Sequence, residues 1–242
     1  MATSRNCSTA ARGWTSTKPA GFSEVTPEML VLALNTASAA LEAAVARNGE
    51  ILADARETMA RGQDRQLPGF VEGVLADAGI TLADIDRIAV VTGPGSFTGI
   101  RIGVAYARGL SLVTGATCIG VTSLEAAIPA GMEGNSLGAL LAQKRPPDQT
   151  WWVQGLEGDA GIAPPVEVNL TDLKAMLAGF TVPIFIDGED ALGETAERID
   201  VRPMRPSAIT AALKAPGFDP ASHPPSPVYA REPDATLPGP KP

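Results

Sequence analysis

The stretch TGPGSFTGIRIG, residues 92–103, decides the predicted fold. It joins the apolar run RIAVVTG, residues 87–93, to a segment with helical periodicity from about Gly99 to Thr114. A strand that turns through glycines into a helix is typical of an α/β fold. The turn also brings the free N–H groups and the positive dipole end of the helix to one corner.

Two interpretations of this corner stay open. The glycines either supply the backbone freedom and close approach that a tight turn needs, or they bind an anion such as a phosphate. The stretch has neither the Lys-Ser/Thr ending of a P-loop nor the glycine spacing of a dinucleotide fingerprint. The candidate anion-binding residues are Gly93, Gly95, Ser96, Thr98 and Gly99.

Strand-like and helix-like segments alternate on both sides of the corner. Residues 41–57 predict a hairpin that turns at Asn48 and Gly49,. We predict two α/β lobes, residues 29–130 and a more divergent 131–218 that ends in a helix. Residues 1–28 show no hydrophobic period and are expected to be a disordered extension. Residues 219–242 hold eight prolines and predict a tail or a surface strap, in which Val228 and Tyr229 could dock,.

Composition excludes several classes of protein. The 27 acidic residues outnumber 19 basic residues, for a net charge of -8, so the chain is not expected to bind nucleic acid by itself,. No apolar run is long enough for a membrane span. Cys7 and Cys118 lie far apart, which argues against a disulfide framework and fits a reducing cytoplasm,.

The candidates for catalysis each have a simpler interpretation. His223, the single histidine, lies in a proline-rich segment and is expected to be solvated; it would have to serve as the base for either Ser96 or Cys118,. Glu189 and Asp190 could form an acid/base pair, but adjacent acids at a helix start also satisfy the helix dipole. Trp151 and Trp152 could stack on a base, but neighbours in a strand point to opposite faces, so we expect one in the core and one at the surface.

Four segments, read in order, resemble one family. They are LALNTAS (32–38), TGPGSFTGIRIG (92–103), IGVTSLEA (119–126) and SPVYAREPDA (226–235), and together they are similar to the bacterial TsaB (YeaZ) family. The resemblance spans roughly residues 29–235. It implies a two-lobed actin/Hsp70/sugar-kinase-like α/β fold, with mixed sheets flanked by helices.

The resemblance also implies a function. Members of this family are cytoplasmic, non-catalytic subunits that pair with the catalytic subunit TsaD, alongside the ATPase subunit TsaE. The complex attaches threonylcarbamoyl to the adenosine next to the anticodon of tRNA. The chain is then expected to reach tRNA only through the complex, to have no cofactor of its own, to meet any nucleotide at the complex interface, and to form a homodimer when alone.

Two departures from the family bear on the alternatives. Asn35 stands where the family has an aspartate, which argues against a kinase-like enzyme that binds nucleotide phosphate at residues 92–99. The segment from Gln143 to Trp152, with Lys144 and Arg145, lacks the family's Asp-Ala-Arg pattern, and we assign it no function. An independently active metallopeptidase-like enzyme would need a metal-ligand cluster, and one histidine does not supply one.

The helix after the corner is predicted to dock the partner. One side, with Ile102, Tyr106 and Val113, is predicted to face the core,. The other side mixes arginines with aliphatic residues, as protein interfaces do, although a partly covered surface helix would look the same. The predicted interface residues, including three from the preceding helix, are Arg101, Val104, Ala105, Arg108, Leu112, Leu67, Val71 and Val74.

Overall fold

The computed structural model describes residues 28–59, 61–143, 149–178 and 181–228. The strands are β1 (Leu30–Ser38), β2 (Ala40–Arg47), β3 (Glu50–Thr58), β4 (Arg87–Val91), β5 (Thr117–Val121), β6 (Asn135–Gln143), β7 (Thr150–Glu157), β8 (Ala160–Gly161), β9 (Val166–Asn169), β10 (Ile184–Ile186) and β11 (Val201–Pro203). The α-helices are α1 (Gln63–Asp77), α2 (Phe97–Thr114), α3 (Leu170–Leu177) and α4 (Ala208–Lys214). Short 3-10 segments are Leu82–Asp84, Glu125–Ala127, Glu189–Arg198 and Ala215–Gly217. Residues 1–27, Lys144, Arg145 and Tyr229, on which sequence predictions were made, lie outside the described residues.

The first sheet has the strand order β3-β2-β1-β4-β5. Strands β1 to β3 are antiparallel, and β4 and β5 run parallel to β1. The predicted hairpin turn between β2 and β3 is confirmed, because Asn48 and Gly49 have φ values of 51° and 84°, the left-handed region that a two-residue hairpin needs,. Strand β1 is buried along nearly its whole length, as expected of a central strand covered on both faces,.

The second sheet repeats this arrangement. Strands β6, β7 and β9 pair antiparallel, while β10 and β11 follow parallel to β6. The order β9-β7-β6-β10-β11 therefore matches β3-β2-β1-β4-β5 in both sequence and direction, with β8 added beside β7. The predicted architecture is confirmed: an α/β chain with two mixed sheets flanked by helices.

Helices cover both faces of the first sheet. Thr36 donates its hydroxyl to the carbonyl of Gly99 in α2, at 2.7 Å, whereas its neighbour Asn35 bonds the carbonyl of Pro206, just before α4. Since adjacent residues of a strand point to opposite faces, α2 and α4 lie on opposite sides of the sheet. Helix α1 packs beside α2 against β2 and β3.

Helix α4 corrects one predicted boundary. The sequence assigned the C-terminal helix to the second lobe, but α4 contacts β1, β2 and β4 of the first sheet. Besides Lys214, its buried residues are the alanines Ala208, Ala211 and Ala212, which allow a helix to approach a sheet closely. The chain crosses back after β11, and order along the sequence gives no sign of this return.

The second lobe has its own core. Trp151 is fully buried there, and its indole N–H donates to the carbonyl of Asp187 at 2.9 Å. Trp152 points to the other face, as predicted, but packs against a separate cluster that contains Leu124 and Phe185. The predicted helix near residue 190 is a 3-10 segment broken at Gly193. Within the described residues, none of the helices combines the length and apolarity needed to cross a membrane.

Candidate functional site

The glycine corner is packed against the end of β1. A Cβ on Gly95 would overlap the carbonyl of Ala37, and a Cβ on Gly99 would overlap the carbonyl of Thr36. The N–H of Ser96 donates to the Ala37 carbonyl at 2.7 Å, which closes the corner onto the strand. Glycine is therefore required here by close approach of two backbones.

Several polar groups of the candidate anion site already have partners within the chain. Ser96 is the N-cap of α2, and its hydroxyl accepts the N–H of Gly99 at 3.2 Å. The carbonyl of Gly93 accepts the N–H of Ser123 at 2.7 Å. These contacts support the tight-turn interpretation; anion binding by Gly93, Gly95, Ser96, Thr98 and Gly99 stays a prediction.

Asn35 has a structural role at the end of β1. Its amide NH₂ donates to the carboxylate of Glu42 and to the carbonyl of Pro206, both at 3.3 Å, and its amide oxygen accepts the N–H of Ala37 at 3.0 Å. Glu42 is buried and also pairs with Arg56 at 2.9 Å. An amide at residue 35 thus joins β1, β2 and the start of α4.

A cavity lies between the two sheets, next to this amide. Its volume is about 590 Å³, and it is lined by residues of the glycine corner together with Asn35, Ser123, Trp152 and Arg205.

The described residues contain no group of three His, Cys, Asp or Glu side chains that could hold a metal ion. Glu189 and Asp190 are exposed at the start of their 3-10 segment, which fits the role of adjacent acids at a helix start,.

Helix α2 presents an exposed stripe that contains four of its five predicted interface residues. Arg101, Ala105, Arg108 and Leu112 are all exposed, at the spacing of four, three and four residues that aligns side chains on one helix face,. Leu112 is 88% exposed, an unusual position for a large aliphatic residue. The guanidinium of Arg101 lies 3.7 Å from the ring centroid of Phe97, one turn earlier.

Four predicted interface residues lie in the core instead. Val104 is 3% exposed, and Leu67, Val71 and Val74 of α1 are 1–2% exposed. The error in α2 arose because Gly103 and Ala107, which are small, form the line of closest contact with the sheet, so that the buried sector includes Val104. For the same reason Val113, predicted to be in the core, is 83% exposed.

The exposed side of α1 carries small residues. Gly69 and Gly73 are one turn apart, and a Cβ on either would meet nothing within 4 Å. Next to them, Glu72 is close enough to Tyr106 of α2 to add to the effect of burial in raising the pKa of the phenol. The exposed residues of the predicted docking face are therefore Arg101, Ala105, Arg108 and Leu112; that they bind a partner stays a prediction.

His223 is not solvated as predicted. Its ring is half-buried, its Nε2 lies 3.4 Å from the Oε1 of Glu125, and it stacks on Phe218 with ring centroids 4.0 Å apart. The sequence held a signal for part of this cluster: Thr122 and Glu125 have the spacing of a capping box, and each does bond the backbone N–H of the other,. The contacts of the His223 ring with Glu125 and Phe218 could not be predicted from the sequence, because only the folded structure brings these side chains together.

The sequence of this chain is similar to one family model and to several bacterial proteins. The family model described as TsaD, tRNA N6-adenosine threonylcarbamoyltransferase, matches residues 51–142. An uncharacterized protein of Mycobacterium tuberculosis is 34% identical over 138 residues, which cover 56% of this chain and 64% of that protein. The tRNA threonylcarbamoyladenosine biosynthesis protein TsaB of Escherichia coli is 38% identical over 96 residues, 40% of this chain and 41% of that protein.

Solved structures extend the likeness to most of the chain. YeaZ from Pseudomonas aeruginosa matches with a TM-score of 0.58 at 21% identity, and the match covers 83% of this chain and 99% of that one. At this identity the likeness concerns the fold. The sequence matches span less than two thirds of the mycobacterial and Escherichia coli proteins, and the matched family-model region contains α1, the glycine corner and α2.

Proposed function

Since this chain has the sequence motifs and the fold of the TsaB (YeaZ) family, we propose that it is a non-catalytic subunit in the biosynthesis of threonylcarbamoyladenosine in tRNA. Its partner is a catalytic protein of the TsaD type, with which it forms a heterodimer. The ATPase subunit TsaE joins the same complex. The net charge of -8 supports contact with tRNA through the complex and not by this chain alone,.

The docking face on α2 is the observation that carries this proposal. It combines two arginines, a residue type enriched at protein interfaces, with a leucine that is 88% exposed to solvent in the isolated chain,. The exposed Gly69 and Gly73 of α1 leave space for a partner helix to approach closely. The same face supports a homodimer when no partner is present.

The contacts of Asn35 in β1 also favour a non-catalytic role. Strand β1 carries Asn35, whose amide is bonded on both its oxygen and its nitrogen, where a kinase-like enzyme would need a carboxylate. A nucleotide, if the complex uses one, is then bound with groups from the partner, at the junction of the two proteins.

A double substitution that adds one acid and reverses one charge tests the docking face. In the variant Ala105→Glu with Arg108→Glu, both altered side chains are exposed, so we expect a melting temperature close to that of the wild type,. Binding to the TsaD-type protein, measured by calorimetric titration, should weaken by about 2–4 kcal/mol because unpaired acids are buried at the contact. Val104→Glu is unsuitable here, because Val104 lies in the core.

The matched control is Ala175→Glu with Arg198→Glu, which makes the same two changes at exposed residues of the second lobe. This variant should bind as the wild type does. If the α2 variant is folded and its affinity is unchanged, the partner docks elsewhere and the proposed role of this face is wrong.

A further inference from the structure

Residues 219–228, which we call the C-terminal strap, cross the ends of β4 and β5. The N–H of Gly120 in β5 donates to the carbonyl of His223 at 2.9 Å, and the N–H of Val228 donates to the carbonyl of Thr92 at 2.9 Å. A Cβ on Gly120 would overlap the carbonyl of Pro224, so the strap and the strand are in close contact. The strap therefore covers the open edge of the first sheet beside the glycine corner,.

A single buried carboxylate lies beneath the strap. Glu125 is 2% exposed, and its two oxygens accept the N–H of Thr122 at 2.7 Å and the N–H of Gly161 at 2.8 Å. Gly161 belongs to β8 in the second sheet. Because His223 approaches the same carboxylate, Glu125 connects the first lobe, the second lobe and the strap at one point.

The charges of this cluster reinforce each other. Burial acts to raise the pKa of Glu125, but the bonds from His223, Gly161 and Thr122 together outweigh it and hold the pKa below its ordinary value. The hydrogen bond to Glu125 is the main cause that raises the pKa of His223 above its ordinary 6.5; burial opposes it and Asp219 adds to it.

One more cation faces the cluster. The Lys214 amine is fully buried and lies 3.5 Å from the carboxylate of Asp159. Burial lowers the pKa of Lys214, while Asp159 and Glu125 act in the opposite direction. The groups that face the His223–Glu125 pair are thus Asp219 from the strap, Lys214 from α4, and Asp159 from the turn between β7 and β8.

We propose that Glu125 and His223 form a pH-dependent clasp that closes the C-terminal strap over the glycine corner and ties the two lobes together. The stabilisation from His223 is fully present below the ordinary histidine pKa of 6.5 and is lost as the pH rises through the raised pKa of the folded protein,. The stabilisation from Glu125 is present above its ordinary pKa of 4.5 and is lost as the pH falls through the lowered folded pKa,. The clasp is therefore strongest between these two values and weakens on either side.

The experiment uses the full chain without an affinity tag, in which His223 is the single histidine. NMR follows the imidazole resonances against pH, and hydrogen exchange follows the amides of Gly120 and Val228, which the strap protects. We expect His223 to titrate above 6.5. After correction for intrinsic exchange, the equilibrium constant for strap opening should be larger at pH 8.5 than at pH 5.5. The increase should be about tenfold for each unit by which the folded protein raises the pKa of His223.

Three variants test the cause. His223→Gln keeps a polar side chain but removes the charge, so the exchange of the two strap-protected amides should lose its pH dependence. Glu125→Gln should return the His223 titration towards its ordinary value; because Glu125 is buried, His223→Gln decides the outcome if this variant does not fold. Glu133→Gln, an exposed acid in the loop before β6, should change neither measurement.

Two results would overturn the clasp. One is a His223 pKa at the ordinary value in the wild type. The other is strap exchange that shows the same pH dependence in His223→Gln as in the wild type. Neither measurement involves a partner protein, so the clasp and the docking face are tested independently of each other.

Discussion

Replacing Gly99 by alanine should destabilise the protein far more than the same change ten residues later in the same helix. A Cβ at residue 99 would lie well inside 3.0 Å of the Thr36 carbonyl oxygen, a backbone atom that has no free rotation. Strand β1 pairs with β2 and β4 on its two sides and is covered by helices, so it does not move away easily. The clash must then be relieved by a shift of α2.

The size of the effect follows from three contributions, two that destabilise the variant and one that stabilises it. Overpacking of this kind costs about 1–3 kcal/mol and occasionally more, and the shift also weakens the 2.7 Å bond from the Thr36 hydroxyl to the Gly99 carbonyl, worth about 1 kcal/mol,. Alanine gains about 1 kcal/mol over glycine in a helix. The net loss is about 1–3 kcal/mol, which lowers the melting temperature by roughly 2–12 °C for a chain of this size.

Gly109→Ala is the matched control, because a Cβ at residue 109 meets nothing within 4 Å. It should gain up to about 1 kcal/mol from helix propensity alone. Urea unfolding of the two variants and the wild type measures the free energies of unfolding directly. The reasoning about the corner is refuted if Gly99→Ala and Gly109→Ala unfold at the same denaturant concentration.

Two further predictions concern the thiol and the strap. Burial, opposed by Arg108, raises the pKa of Cys118 to about 11, so only about one thiol in a thousand is ionised at pH 8,. In a Cys7→Ser variant, a disulfide reagent should therefore react far more slowly with the native protein than with the urea-unfolded protein. Equal rates would show that the Cys118 thiol is accessible and has an ordinary pKa. A chain that ends at Pro227 loses the bond from Val228 to Thr92, so thermal unfolding should begin at a lower temperature than in a chain that ends at Ala230. Identical melting curves would mean that the Val228–Thr92 bond contributes nothing to stability.

The sequence predicted the first sheet well because local signals and burial agree there. Asn48 and Gly49 fix the hairpin, and the continuous apolar run of β1 is what a strand covered on both faces requires,. Opposite faces for Trp151 and Trp152 follow from strand geometry alone. Each of these features depends on residues that are close in the chain.

Predictions failed where distant segments meet. Val104 was assigned to the surface because helix periodicity gives the width of an apolar sector but not its centre, which small residues such as Gly103 can occupy. His223 was assigned to solvent because its segment is rich in proline, yet the strap brings it to a carboxylate 98 residues earlier in the chain. Helix α4 packs on the sheet that begins the chain, and no local pattern records that contact.

The glycines of the quoted motif position the proposed docking face but do not belong to it. Gly95, Gly99 and Gly103 let the start of α2 approach β1 so closely that the helix has one orientation. The surface that this orientation presents is made of ordinary residues, Ala105 and Leu112 among them, whose significance lies only in their exposure. The motif therefore identifies the corner, whereas the exposed residues of the proposed docking face can be named only when the buried side of the helix is known. The loss of partner binding in Gly99→Ala, beyond its loss of stability, would follow from the same shift of α2.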